Sequence, residues 1–483
     1  MNKIKNYCLF LLVALSVAAC HHDPDDTGAR LSFSSSRVTF DTVFTTVGSV
    51  TKYFMVYNNT ATDITTDILL AGGPTSNFSI NVDGKAGSAF SKVVVPAHDS
   101  LFVHVKVNVD PGNQNTPFLI TDSVVFLVNG RQQDVDLLAY GQDAHFIVAD
   151  QGLSGSLPYK VVAAEHEVTH WTNDKPYVIY GWAAVDSLGT LIIDPGTQIY
   201  FHAGAGLWVY RYGNIQVNGT ADEPVVFRGD RREKWYDTDY AQWSRIWINE
   251  GTQDNVINYA VITNAFVGVQ VESMQEYLGN KTVINNSIIQ NTANSGVIAR
   301  GTKVDMTNCQ ISNNGTCCAQ LEIGEYNLTH LTMVSYFSQQ VRKYPAVYAA
   351  NAYSTYDNSG REISIVGNTS LSVVNSIGYG NQKNEVVIVD KTSQSLPLQM
   401  NVSFENCIFR LEEQGSCLEK YRSQFVNCQF NTGTGFINND KQDFNLKQGS
   451  PAIDAGKATD VLIDLRGHTR DGRPDIGAYE FQE

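Results

Sequence analysis

One short phrase returns along the chain from Val256 to Phe430: an apolar pair, a small or amide residue, an aliphatic, then Asn. It reads Tyr259-Ala-Val-Ile-Thr-Asn264, Asn286-Ser-Ile-Ile-Gln-Asn291, Asn308-Cys-Gln-Ile-Ser-Asn313, Asn375-Ser-Ile-Gly-Tyr-Gly-Asn381, Asn406-Cys-Ile-Phe and Asn427-Cys-Gln-Phe-Asn431. The first three copies close on Asn264, Asn291 and Asn313, a period of 27 and then 22 residues. A fixed period of this length adds one supersecondary unit per repeat. Each unit is too short for a strand–helix–strand crossover, lacks helical spacing, and combines alternating aliphatics with the turn formers Asn and Gly. Parallel strands stacked coil on coil are the fold this pattern predicts.

Upstream, Gly189-Thr-Leu-Ile-Ile-Asp-Pro-Gly196, Thr197-Gln-Ile-Tyr-Phe201, Gly206-Leu-Trp-Val-Tyr210, Asn214-Ile-Gln-Val217 and Pro224-Val-Val-Phe227 extend the same architecture. They read as short strands joined by turns containing Gly, Pro or Asn-Gly. Strand centres lie about eight residues apart, so three strands make one coil. These residues resemble the opening coils of right-handed parallel β-helix proteins, a family that includes polysaccharide lyases and hydrolases, phage tailspikes and adhesins. The resemblance implies a link to carbohydrate and no particular chemistry.

From Leu31 to Asp143 the signals change to strands with frequent turns. Val38–Phe40, Tyr53–Tyr57, Phe78–Val82, Lys92–Pro96, Leu101–Val109 and Ser123–Val128 are separated by Asn58-Asn59, Gly72-Gly73-Pro74, Pro111-Gly112 and Asn129-Gly130. That spacing predicts an immunoglobulin-like β-sandwich over residues 31–145, followed by the β-helix over 146–483. The expected fold class is therefore all-β. A length of 483 residues agrees with more than one folded unit.

Residues 1–20 read as a targeting segment: Lys3 and Lys5 precede an apolar stretch from Leu9 to Val17 that is too short to span a bilayer. Val17-Ala18-Ala19-Cys20 resembles a bacterial lipobox, which implies acylation of Cys20 and attachment to a membrane surface. The acidic run His21 to Asp26 then serves as a tether over 21–30, and resembles the stretches behind the lipid Cys of surface-exposed lipoproteins of Bacteroidetes. The expected location is the outer membrane, facing outward. A net charge of -15 excludes nucleic acid as a partner, since phosphate binding needs a basic face.

Several motifs invite chemistry. His166-Glu167-Val168-Thr169-His170 matches the zinc-protease pattern, but that chemistry requires a helix, and the β-branched residues with Pro176-Tyr-Val-Ile-Tyr180 downstream predict strand and turn, so no metal is expected. Cys309, Cys407 and Cys428 follow Asn at one place in the repeat and are expected as small buried ladder residues; vicinal Cys317 and Cys318 lack metal-site spacing.

All six Trp lie between Trp171 and Trp247. In Leu207-Trp208-Val209 and Ile246-Trp247-Ile248 the aliphatics suit the interior, which turns both Trp outward, one coil apart on one face. With Tyr210, Tyr212, Trp235, Tyr236, Tyr240 and Trp243 they form an expected platform for sugar rings, of which Trp208, Tyr210, Trp235, Tyr240 and Trp247 are the glycan-binding candidates. Packing beneath an insertion over Arg228–Trp243 is the competing account of the same rings. That insertion supplies Arg228, Asp230, Arg231, Arg232, Glu233, Asp237, Asp239 and Arg245, residue types a polysaccharide lyase uses, calcium being the one cofactor such a reading would bring. A second insertion, Tyr336 to Arg361, is expected as one projecting loop bearing Tyr344, Tyr348, Tyr353 and Tyr356. Thr42, Ser100, Ser123 and Ser187 each follow Asp and precede an aliphatic residue, a pattern used for O-glycosylation in Bacteroidetes.

The last forty residues, Asp443 to Gly456 with Asp464, Gly467, Arg473 and Pro474-Asp-Ile-Gly-Ala-Tyr-Glu-Phe481, resemble the C-terminus of the choice-of-anchor Q family of β-helix proteins. A Pro/Gly-rich wrap of this kind is expected to cover the last coil. Three function classes follow: a lipid-anchored envelope protein that binds glycan or a surface partner, a polysaccharide-cleaving enzyme on the same scaffold, and a structural scaffold.

Overall fold

The computed structural model describes residues 29–45, 49–109, 118–152, 157–273, 279–337, 341–357 and 359–482. The chain divides into two compact units, Met1–Asp143 and Ala144–Glu483. The expected targeting segment over residues 1–20, with Cys20, lies outside the described residues.

In the first unit, ten strands form two five-stranded sheets. One contains Ser32–Phe33, Lys52–Tyr57, Ser100–Val107, Phe78–Val82 and Lys85–Gly87; the other contains Arg37–Phe44, Arg131–Gln142, Phe118–Val128, Ile64–Leu70 and Ala89–Val95. Both sheets contribute to a single apolar core that includes Phe40, Phe54 and Phe126. Pairing is antiparallel throughout except between Arg37–Phe44 and Arg131–Gln142, which run parallel. Along Ser100–Val107 the side chains alternate as a one-sided sheet requires: Val103 and Val105 are buried, whereas Phe102 and Lys106 face water.

The second unit is a three-faced parallel solenoid. Its 11-stranded sheet begins at His145–Val148 and Tyr177–Tyr180 and ends at Gln429–Phe430; we call it face 1. The 17-stranded sheet consists of two interleaved ladders. Face 2 begins at Tyr159–Ala163 and Trp182–Val185, and face 3 at Val168–Trp171 and Thr190–Ile193. The two merge because Val297–Thr307 and Ala319–Thr329 run straight through the corner between them. Register is regular: Leu191 pairs with Ile215 and Ala183 with Leu207, each a step of 24 residues. Inward side chains stack into one core of Ile, Val, Leu and Phe.

The corners explain the repeated Asn. Asn286, Asn308, Asn375, Asn406 and Asn427 open the face 1 strands with φ between 47° and 53°, and Tyr259 and His330 fill the same place in their own coils with φ 47° and 56°. Asn264, Asn291, Asn313 and Asn431 close those strands with φ between 54° and 66°. A left-handed residue costs an ordinary side chain about 1–2 kcal/mol, and Asn tolerates it best after Gly because its short amide bonds locally. Here the amides also bond along the stack: Asn286 Nδ2 donates to Asn258 at 2.9 Å, Asn308 to Asn286 at 3.1 Å and Asn313 to Asn291 at 3.4 Å.

Two expectations need correction. Trp243, assigned to an exposed platform, is buried and stacks on Phe201 at 4.2 Å with its indole N–H on Thr263 O, because the segment before strand Ile246–Ile248 bridges to Ala265 and turns this ring into the core. The span Tyr336–Arg361 is not one loop: Val347–Ala350, with Tyr348, is a strand of face 2, and Ala352–Tyr356 pairs with Glu362–Val366 as a separate hairpin. The C-terminal stretch reaches the last coil, where Gln429 Nε2 donates to Pro451 O at 3.1 Å. It lies along the outside of face 1, where Phe436, Phe444, Leu446, Ile476 and Tyr479 pack with Val334, Ile377 and Ile408 as a second core. The one-turn helix Leu418–Tyr421 buries Leu418 and Tyr421 in the solenoid core.

This strap is tied to the corner column. Arg470 Nη2 donates to Asn308 Oδ1 at 3.0 Å and its Nη1 to Glu480 at 2.9 Å; Asn375 Nδ2 donates to Lys457 O at 2.7 Å. His330 is buried between strap and corner, its Nε2 3.0 Å from Asn375 Nδ2 and 3.2 Å from Thr459 Oγ1. Burial, with the nearby Arg470 charge, pushes its pKa down to about 3.

Two outcomes test this account. Asn286→Ala is expected to cost about 1–3 kcal/mol in equilibrium unfolding, and Asn286→Gly distinctly less, since Gly keeps the left-handed turn and loses only the amide bonds. Because the folded protein keeps His330 neutral while the unfolded chain protonates near 6.5, stability is full above that pH. It then falls as pH drops toward the folded value, by about 2 kcal/mol between pH 7 and 5. His330→Asn, which restores the residue used in other coils, is expected to remove this acid-dependent loss in thermal melts at the two pH values.

Candidate functional site

Face 2 gathers on its outer surface side chains that are far apart in sequence. By register, Ala184, Trp208, Trp247, Gln270, Ile298, Gln320, Tyr348 and Val387 form one column. Glu272, Arg300 and Glu322 form a second beside it. Each step along a column is about 4.8 Å, so the first extends about 34 Å.

Insertions border this face on both long edges. Residues 230–243 and, among the described ones, 336–337 and 341–346 leave the coil between faces 1 and 2, and they meet through Tyr240 and Phe337, whose rings are 5.3 Å apart. The hairpin Ala352–Tyr356/Glu362–Val366 leaves between faces 2 and 3, and its Tyr353 lies over the Arg300 guanidinium at 5.2 Å. The result is a furrow. Gln270, Ile298 and Glu322 are buried although they point away from the solenoid core.

At one end of the furrow sit the tryptophans. Trp208 and Trp247 are direct register partners, both half-buried, with rings stacked at 5.3 Å and 14°. Trp182, buried on the same outer side, meets Trp247 edge-on at 6.2 Å, and exposed Tyr210 meets Trp208 edge-on at 5.1 Å. Trp208 Nε1 donates to Asn249 Oδ1 at 2.9 Å. Since the two indoles stack along the solenoid axis, they spend one ring face on each other and turn their edges outward; the surface is a ridge of ring edges flanked by Tyr210. Trp235 and Tyr240, the other two candidates, lie on the insertion, Trp235 being 62% exposed and Tyr240 packed on Phe337.

Beyond the tryptophans the furrow becomes polar. Arg245 donates to Gln270, Gln270 Nε2 to Glu272 at 2.6 Å, Gln320 Nε2 to Glu322 at 2.9 Å, and Arg300 Nε to Glu322 at 2.5 Å. Burial draws the Arg245 pKa down, while burial and the surrounding Glu272 charge push the Tyr353 hydroxyl up. Glu272, Arg300 and Glu322 were not singled out in the sequence, although the signal was there: each follows the closing Asn of its repeat by eight or nine residues.

The charged insertion neutralises itself. Arg228 pairs with Asp237 at 2.9 Å and Arg231 with Glu233 at 2.9 Å. One arrangement has catalytic form. Asp230, largely buried, accepts from His202 Nδ1 at 2.8 Å, and Tyr180 packs on the imidazole at 4.6 Å. Burial pushes the Asp230 pKa up. The three residues form a column at the corner between faces 1 and 2.

The remaining motifs resolve into local structure. His166 sits in a left-handed turn in which Glu167 accepts the Ala164 amide at 3.0 Å, and His170 is on strand Val168–Trp171. Among the described residues no cluster of His, Cys, Asp and Glu is arranged to hold a metal. Cys309, Cys317, Cys318 and Cys407 are buried free thiols and Cys428 is a half-buried one. Thr42, Ser100, Ser123 and Ser187 are half-buried; Asp99, Asp122 and Asp186 each accept the amide of the Ser that follows, and Ser187 Oγ donates to Arg211 O at 2.9 Å.

No family model matches the chain, and no curated protein matches it. Similar solved structures include a family 123 glycoside hydrolase from Clostridium perfringens, 7% identical over 24% of this chain and 30% of that one, TM-score 0.18. A protein of unknown function from Porphyromonas gingivalis W83 is 14% identical over 27% of this chain and 57% of that one, TM-score 0.18. The catalytic domain of a GH87 alpha-1,3-glucanase in complex with nigerose is 12% identical over 78% of this chain and 86% of that one, TM-score 0.17. Likenesses at this level of superposition define neither the fold nor the activity of this chain.

Proposed function

We propose that this is a lipid-anchored protein of the cell envelope, held through Cys20, that binds a glycan strand along the outer surface of face 2. The observation that carries the reading is the in-register column from Trp208 through Tyr348, bordered on both sides by insertions. It combines apolar ring edges with amide, carboxylate and guanidinium groups, the mixture that a sugar's C–H patches and hydroxyls require. The coil spacing is close to the length of one sugar residue in an extended chain, so successive sugars meet successive coils. Ion pairing within the Arg228–Asp237 and Arg300–Glu322 couples supports binding over bond cleavage, because paired charges are held away from a reacting atom. The resemblance to Bacteroidetes surface lipoproteins supports an outward-facing location.

A polysaccharide-cleaving reading is favoured by a single feature, the His202–Asp230 pair, in which a buried carboxylate orients an imidazole whose Nε2 is left to act.

The test uses the soluble chain from Asp23 onward on immobilised acidic and neutral polysaccharides, with and without calcium, following retention, unsaturated-product absorbance and new reducing ends together. Retention without product is expected. The double substitution Trp208→Ala and Trp247→Ala is expected to lower retention about tenfold, the equivalent of about 1.4 kcal/mol of lost ring contact. Unchanged retention with unchanged melting would make these rings packing residues only, and product formation lost in His202→Ala would establish the enzyme reading. Separately, Cys20→Ala in the full chain is expected to move the protein from membrane to soluble fractions, since one or more acyl chains supply the anchor.

A further inference from the structure

The first unit exposes aromatic rings that its own core does not need. Tyr53 is 60% and Phe102 45% exposed, on adjacent strands of the sheet containing Lys52–Tyr57 and Ser100–Val107. Their ring centroids are 5.5 Å apart, and each lies about as close to the His104 imidazole, at 5.9 Å from Tyr53 and 6.1 Å from Phe102. Phe102 and His104 stand as parallel plates, 14° apart, on one strand. Register continues this surface sideways: Tyr53 pairs with His104, and His104 with Asn81.

His104 is also where the rings meet a cleft. An open cavity of about 840 Å³ is lined by Thr51, Ser79, Asn81, His104 and Lys106 together with apolar residues such as Leu70 and Phe78. Its size is that of a small-ligand site, within the usual range of about 300–1,000 Å³. A protein partner is a poorer match. Stable protein interfaces need roughly 800 Å² from each side, and beyond Met55 and Tyr57 this wet face continues with the polar Ser100, Asn81, Ser79 and Lys106.

Charge narrows the ligand. In a chain of net charge -15, no Asp or Glu lines the cleft, whereas Lys106 and His104 do. Lys106 is exposed and, among the described residues, has no ion-pair partner. The groups on offer are therefore ring surfaces, hydroxyl and amide donors, and one cation beside an imidazole.

We infer that the wet face of this sheet is a second saccharide site, in which Tyr53 and Phe102 pack against the apolar side of a sugar and Lys106, with His104, takes an acidic substituent on it, the ligand being a uronic-acid-type unit. The site is independent of face 2, since none of its residues belongs to the solenoid.

The experiment uses the soluble chain from Asp23 onward carrying Trp208→Ala and Trp247→Ala, so that face 2 does not contribute through those rings. Saturation-transfer NMR and titration are run with methyl glucuronide and methyl glucoside as the two probes. Expected results are a saturable signal for the glucuronide, its loss in Phe102→Ser, and in Lys106→Gln at least a tenfold weakening for the glucuronide with little change for the glucoside. Both substitutions fall on exposed positions, and an unchanged melting temperature confirms that the fold is kept. The inference is overturned by the absence of signal from either probe, by a signal that survives Phe102→Ser, or by glucoside and glucuronide binding equally and Lys106→Gln leaving both unaltered. Retention on face 2 is read separately in the parent chain, so either site can fail alone.

Discussion

Everything in the solenoid depends on turning the chain through the same corner once per coil. From Tyr259 onward each coil opens its face 1 strand through one residue with a left-handed backbone, which costs most side chains about 1–2 kcal/mol and Asn much less. The corner that opens face 1 is filled in successive coils by Tyr259, Asn286, Asn308, His330, Asn375, Asn406 and Asn427. Stacking turns this local preference into a long-range interaction where an amide reaches the preceding coil, as Asn308 does to Asn286 and Asn313 to Asn291. Once the corners are in line, inward residues have no choice but to stack in a continuous core, and extra residues can be accommodated only where the chain leaves a corner.

The exceptions show how the same constraint is met when the sequence departs from it. Between Thr332–Ser335 and Val347–Ala350 the coil carries an insertion, and a buried ion pair replaces the simple turn. Arg342 and Glu385 are fully buried; Arg342 also donates to Tyr344 O at 2.9 Å and Ser335 O at 3.1 Å, and Glu385 accepts the amides of Ala346 at 2.8 Å and Gln382 at 2.9 Å. Such a pair is tolerable only because its remaining polar atoms are so well satisfied, and its value lies in holding the insertion in one place beside face 2. The strap answers a different demand. Face 1 presents apolar residues on its outer side, among them Val334, Ile377 and Ile408, and the C-terminal segment removes them from water while using Asn308 and Asn375 as fixed hydrogen-bonding points.

The candidate site is placed by this geometry and not by any local motif. The Zn-like His166–His170 sequence became a turn and a strand because its residues favour extension, and the charged insertion became a set of neutralised pairs. The outer surface of face 2 brings together residues from successive coils that have no relation in the linear chain. Its tryptophans illustrate the difference between position and presentation: Trp208 and Trp247 stand one coil apart on the outer face, but their mutual stacking leaves edges and not faces to a ligand.

Much of this was legible beforehand. The strand periods of both units, the parallel stacking, the turns at Asn and the outward direction of Trp208 and Trp247 follow from alternation and turn chemistry, which act over a few residues. The burial of Trp243, the splitting of Tyr336–Arg361 by a solenoid strand, the course of the C-terminal strap, and the Glu272–Arg300–Glu322 column did not follow. Each depends on which coil lies above which, and therefore on insertion lengths that vary the spacing between equivalent residues. The amino-acid sequence determined the unit and its period because those are local preferences of backbone and side chain; only the tertiary structure decided what lies side by side, because register between coils is settled by packing over the whole stack.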